Sequence, residues 1–255
     1  MRNQTLRIVI LVLLVGLAKY AIAEPDPEPG KVSIKSMSVG ELEKAADESR
    51  GQKDYRKAVE YLQAALRRDP DNAVLYNKLG MTALQMGDLR TARANFQKAV
   101  KRNAKYAAAI NNIGTTDFMQ KNYGSAARYF KKAVALEETT ATFHANLGAA
   151  WFNQNKLDRA IAEYTRALEL DPDVLNQNAK AGTAAQISSP EERARFAYMM
   201  AKVYARQGNV EECLRCLRKA KEDGYHDLAN VYKDEEFASL RHDSRLWDVV
   251  TPPTK

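Results

Sequence analysis

"YNKLG" (Tyr76–Gly80), "INNIG" (Ile110–Gly114) and "HANLG" (His144–Gly148) recur at a fixed interval, since 114 − 80 = 148 − 114 = 34. Asparagine and glycine are poor helix-interior residues, so their return inside stretches of helical apolar spacing needs a local reason. The spacing extends beyond the glycines. Ala92, Ala126 and Ala160 lie twelve residues further on, Phe96, Phe130 and Tyr164 sixteen, and Ala99, Ala133 and Ala167 nineteen. A self-similar period of this length is the signature of a stacked repeat. Each unit is too small to bury its own apolar face, and neighbours must complete the core.

The pattern resembles the tetratricopeptide repeat, a 34-residue pair of antiparallel helices. The resemblance implies an all-α, right-handed superhelical solenoid with units at 39–72, 73–106, 107–140 and 141–174. The first unit keeps Tyr55, Ala58, Leu62, Ala65 and Pro70 but has Ala46 where the glycine should stand. Small residues at the eighth and twentieth positions allow close helix approach, and the bulky residue at the twenty-fourth fills the gap. The turns "MGDL", "QKNY" and "QNKL" carry Gly or Asn suited to a left-handed cap. "DPDN" and "DPDV" close units one and four, while Ala104 and Glu138 replace the proline in the other two.

The period breaks after Val174, which predicts an inserted loop and helix start over 175–193. Ser189-Pro190-Glu191-Glu192 reads as a capping box with proline at the first helical position. A fifth, divergent unit follows at 194–227. Phe237, Leu240, Leu246, Trp247 and Val250 then suggest short helices over 228–255 that cap the last repeat.

Composition sets the remaining bounds. A chain with 45% hydrophobic and 28% charged residues lies in the ordinary globular range, so disorder is not expected. Residues 1–23 join Arg2 and Arg7 to an apolar run from Ile8 to Ala18 and end on Ala21-Ile22-Ala23, the layout of a secretory signal peptide. The run is half the roughly twenty residues a membrane span needs. Cleavage after Ala23 and export to a bacterial periplasm are therefore expected, with a linker over 24–38 and no stable membrane anchor; a retained N-terminal anchor is the alternative. Removing Arg2, Arg7 and Lys19 lowers the formal charge from +7 to +4. That mild balance does not point to nucleic acid.

His144, His226 and His242 are scattered, and no phosphate loop, nucleophile motif or H-E-x-x-H pattern occurs, so neither an enzyme nor a cofactor is expected. Cys213-Leu-Arg-Cys216 can be read as packing, as a disulfide or as half a metal site. The basic pairs Arg67-Arg68, Lys101-Arg102 and Lys131-Lys132 recur late in second helices, where the resemblance places the outer side.

The resemblance also implies a protein or peptide partner held in a concave groove lined by first helices; the alternatives are a structural subunit of a cell-envelope complex that docks through the convex face, and a redox or metal role at Cys213 and Cys216. Carried over by repeat position, that groove comprises Asn77, Lys78, Met81, Leu84, Asn111, Asn112, Thr115, Phe118, Met119, Asn146, Phe152 and Asn153. The amides could align a peptide backbone, or bond instead to the neighbouring helix. Leu84, Phe118 and Phe152 are the expected apolar anchors. Glu43 and Asp47 stand where a carboxylate-binding member of the family would carry lysines, which disfavours that mode.

Overall fold

A computed structural model of the chain describes residues 33–175 and 189–250. The expected signal peptide, residues 24–32 of the linker and positions 176–188 of the expected loop lie outside the described residues. The fold is an all-α solenoid of antiparallel helix pairs: α1 (Val39–Gly51) with α2 (Tyr55–Arg68), α3 (Ala73–Gln85) with α4 (Leu89–Arg102), α5 (Ala107–Met119) with α6 (Tyr123–Leu136), and α7 (Ala141–Asn153) with α8 (Leu157–Leu170). Next come α9 (Pro190–Arg206) and α10 (Val210–Glu222), then two 3-10 turns at Leu228–Tyr232 and Glu235–Leu240, and α11 (Ser244–Val250). Among the described residues no helix is long and apolar enough to cross a membrane.

Local chemistry explains the helix starts. Ser38 and Glu41 form a capping box on α1, as Ser189 and Glu192 do on α9. Asp54, Asn72 and Asp88 accept bonds from the first-turn amides of α2, α3 and α4. The inter-helix turns place Lys53, Gly87, Lys121, Asn155 and Gly208 at positive φ, between 58° and 79°. In "QKNY" the left-handed residue is thus Lys121 rather than the expected Asn122, because the turn fixes this conformation at the fifteenth repeat position whatever residue occupies it.

First and second helices are buried differently. Each second helix hides one stripe, such as Ala58, Leu62 and Ala65 on α2 or Ala126, Phe130 and Ala133 on α6. By contrast α5 and α7 are covered on nearly every side. Successive first helices, α3 with α5 and α5 with α7, also approach more closely than any two successive second helices. The array therefore curves with its first helices inside.

The end of the chain seals unit five. Val231, Phe237, Leu240, Leu246 and Val249 join Leu214 and Leu217 of α10 in one apolar cluster. Tyr198 of α9 stacks on Tyr225 at 4.3 Å and donates its hydroxyl to Asp234 at 2.7 Å. Burial opposes ionisation of Asp234, but Lys202 at 2.8 Å and the Tyr198 bond hold its carboxyl below the usual range. These segments pack on α9 and α10, and residues 251–255 of the expected cap lie outside the described residues.

In units two to four the spacing within the pair is set by a ring on a glycine. A Cβ at Gly80 would lie 2.5 Å from Cδ1 of the fully buried Phe96, whereas at Gly148 it would meet Tyr164 at 3.0 Å. Alanine gains about 1 kcal/mol of helix propensity, while an overpacked core loses about 1–3 kcal/mol. Gly80→Ala should lower the thermal midpoint and Gly148→Ala should lower it less. Equal melting of Gly80→Ala and the parent would show that the ring does not set the spacing.

Candidate protein-binding site

The inner face is closed by its own amides. Asn112 donates from Nδ2 to Oδ1 of Asn77 at 3.0 Å, and Asn146 does the same to Asn111 at 2.9 Å. Asn111 also reaches Asn112 at 3.4 Å. The first two links each join the first helix of one unit to that of the next. Asn77, Asn111 and Asn146 are buried, so of the two readings open in the sequence the bond to the neighbouring helix is the one observed. Thr115 is buried too and donates to the Asn111 carbonyl at 3.3 Å.

Lys78 takes the place of an asparagine in this ladder and is also committed. Its ammonium lies 2.7 Å from Glu43 and pairs with Asp47, both on α1. Burial pulls its pKa down, but the two carboxylates more than offset this and hold it above the ordinary value. The charge expected in the groove is therefore neutralised by unit one.

Phe118 and Phe152, expected as exposed anchors, are 1% and 2% exposed. Phe118 meets Tyr123 edge-on at 5.2 Å, and Phe152 meets Phe196 of α9 at 5.1 Å with the Arg195 guanidinium 5.0 Å from its ring. Phe118 is thus covered by the second helix of its own unit and Phe152 by the first helix of the next. Met81, Leu84, Asn112, Met119 and Asn153 keep partial exposure on this side. Met81 and Leu84 pack on the core of unit two, and Asn153 donates back to the Ala149 carbonyl at 2.9 Å.

The outer side is open where the inner side is closed. A groove of about 550 Å³ lies between α2 and α4, floored by α3. Val59, Leu66, Leu79, Ala83 and Met86 give it apolar walls; Arg67, Tyr76, Asn95 and Lys98 stand at its polar side. Met86 is 51% exposed. Lys98 and Arg102 lie 5.6 and 5.9 Å from the Tyr76 ring, a cation–π arrangement that fixes this wall. The sequence hinted at the groove only through the basic pairs of the second helices.

Arg93 and Tyr129 stand at the equivalent lining positions one unit later. Tyr129, 34 residues after Asn95, packs like Val100 on the cluster of Ala83, Phe96 and Ile113, with the Arg93 guanidinium 5.8 Å from its ring. Arg93 is itself paired to the buried Asp117, which also accepts from Ser125 at 2.7 Å. Between units three and four lies a groove of about 480 Å³, lined by Trp151 and by both charge signs, Lys131 and Arg159 with Glu138 and Glu163. His144 lies beneath, held by Glu163 at 2.7 Å and the Glu138 carbonyl at 2.9 Å.

Cys213 and Cys216 are free thiols, so the possible disulfide is not formed. Cys213 faces the core of unit five and Cys216 packs between the two largest apolar clusters. Burial pushes the thiols up to about 12 and about 11. Packing is the role this geometry supports.

The chain matches tetratricopeptide repeat models over residues 43–80, 71–139, 141–174 and 194–219. A crystal structure of MamA protein superposes with a TM-score of 0.51 at 21% identity, covering 77% of this chain and 95% of that one. MamA from Desulfovibrio magneticus RS-1 gives 0.51 at 17% identity over 72% and 93%. TTC0263, a thermophilic repeat protein of Thermus thermophilus, gives 0.51 at 20% over 79% and 98%. At these identities the likeness concerns the fold. No curated protein matches the sequence.

A thiolate is the reactive form of cysteine, and its population falls tenfold for each unit of raised pKa. Ellman's reagent at pH 8 should therefore leave both thiols unmodified for many minutes in the native protein. It should titrate two in guanidinium chloride. Rapid native labelling of Cys216 would contradict its burial.

Proposed function

Because the chain belongs to the tetratricopeptide repeat family, we propose that it is a non-enzymatic scaffold and that its partner docks on the outer face, in the groove between units one and two. The family and fold are those of protein-binding scaffolds. The observation that carries the choice of face is the contrast between the two sides: the amides and Phe118 and Phe152 are used inside, while 550 Å³ bounded by apolar side chains stays open outside. A groove of this size accepts one or two bulky side chains of a docked segment, and buried apolar anchors of that kind dominate binding energy.

The inner face at unit two is the second candidate. Val74 is 42% exposed there, beside the partly exposed Met81 and Leu84. A peptide with apolar anchors could lie across these residues without displacing the ladder.

Export is the accompanying proposal, resting on the layout of residues 1–23. N-terminal sequencing of the protein from its native host should begin at Glu24-Pro25-Asp26. A sequence starting at Met1 would overturn cleavage.

The next unit supplies a bulky side chain for a test of the docking face. Asn95→Tyr copies Tyr129, the residue at the same position of the next unit, which packs on the apolar cluster that Val100 also joins; Leu66 is the counterpart of Val100 here. The variant should fold with an unchanged circular dichroism spectrum and fail to capture the partner that the parent captures. Val74→Asp, an inner-face control at an exposed site, should retain it. Loss with Val74→Asp and retention with Asn95→Tyr would move the site to the inner face.

A further inference from the structure

The charge of the molecule is segregated by face in a way that the modest total hides. Helix α2 carries Arg56, Lys57, Arg67 and Arg68 against Glu60; α4 carries five basic residues and no acid; α6 carries three and no acid. The net values are 4 − 1 = +3, +5 and +3 on three successive second helices. The first helices do not share this: α1 is 2 − 4 = −2, α3 is +1, α5 is −1 and α7 is uncharged. Beyond α6 the bias ends, with α8 at 2 − 3 = −1. The positive field therefore covers the outer side of units one to three.

The open groove lies inside that field. Arg67 and Lys98 stand on opposite banks, one on α2 and one on α4. Among the described residues neither has a carboxylate within ion-pair reach. Asp88 is the acid among the lining residues, and it is committed to capping α4 through the Thr91 amide at 2.9 Å. A docked segment would thus meet apolar walls at the centre and unmatched cations at both edges.

Resting on the outer-face reading above, we propose that the groove takes an acidic peptide segment with one bulky apolar side chain: the apolar chain enters between Leu66, Leu79 and Met86, and flanking carboxylates meet Arg67 and Lys98. Complementary charge both steers the encounter and fixes register. A nucleic acid is the less suited polyanion. Its binding needs a continuous basic track with stacking platforms, whereas in the next unit Arg93 is paired with Asp117 and the third groove is electrically mixed.

The test is fluorescence anisotropy of the full chain with three synthetic labelled dodecapeptides: aspartate and glutamate around a central phenylalanine, the same with alanine for phenylalanine, and the same with lysine for every acid. The acidic phenylalanine peptide should bind best. Alanine should weaken it at least tenfold, the lysine peptide should bind at least a hundredfold more weakly, and raising salt from 50 to 300 mM should weaken the acidic peptide several-fold. Arg67→Glu with Lys98→Glu, both at exposed positions where folding is insensitive, should reverse the preference toward the lysine peptide.

The failures separate. If the parent favours the lysine peptide, ignores charge or binds none of the three, the acidic occupant is overturned. If the acidic peptide binds Asn95→Tyr as well as the parent, the groove itself is overturned and the attraction belongs to the basic surface at large. If a single-stranded DNA oligonucleotide displaces the acidic peptide at equal concentration, the surface is a general polyanion binder and the peptide reading fails.

Discussion

An aromatic ring seated directly on a glycine holds the three central helix pairs at the distance on which the rest of the molecule depends. Phe96 on Gly80, Phe130 on Gly114 and Tyr164 on Gly148 are the same contact three times, and none leaves room for a side chain on the glycine without movement. Close approach within a pair makes the first helix narrow at that point. Its neighbours can then come near enough for one asparagine to reach another across the interface. The amide ladder adds about 0.5–1.5 kcal/mol per bond, so it selects register more than it stabilises. Most of the stabilisation comes from the apolar stripes it aligns.

Curvature follows from that order of events and divides the surface into two chemistries. Drawing the first helices together on one side splays the second helices on the other. The inner side loses its solvent access, and aromatic residues that would otherwise face outward become packing between units. The outer side gains clefts whose depth is set by the gap between second helices. Open cleft and core are thus exchanged relative to a flatter array with the same repeat pattern.

This exchange explains what was legible in the sequence. The 34-residue period, the antiparallel pairs and the capping box at Ser189 depend on local spacing, and local spacing is written directly in residue order. Small buried positions such as Cys213 were equally accessible, since they repeat the place of Ala92 and Ala126. The exposure of Phe118 and Phe152 was not, because it depends on the angle between successive units. That angle arises from interfaces between residues about 34 apart, such as Asn111 and Asn146. The same holds for Lys78: nothing near it in the chain announces that Glu43 and Asp47 will neutralise it.

The outer grooves show how little sequence change a repeat scaffold needs to place a site. The grooves share much of their lining and differ at the twenty-third position: Asn95 lines the first, Tyr129 stands there in the next unit, and Glu163 lines the third and makes it charged. Contacts in such an array run between neighbours, so filling one cleft does not oblige another to change. Charge is distributed with the same independence, since α2, α4 and α6 are basic and α8 is not. The first groove is where an open apolar cleft and unmatched positive charge coincide. That coincidence, rather than the depth of the cleft alone, is what distinguishes it from the groove at Trp151, where Glu138 and Glu163 line the cleft together with Lys131 and Arg159.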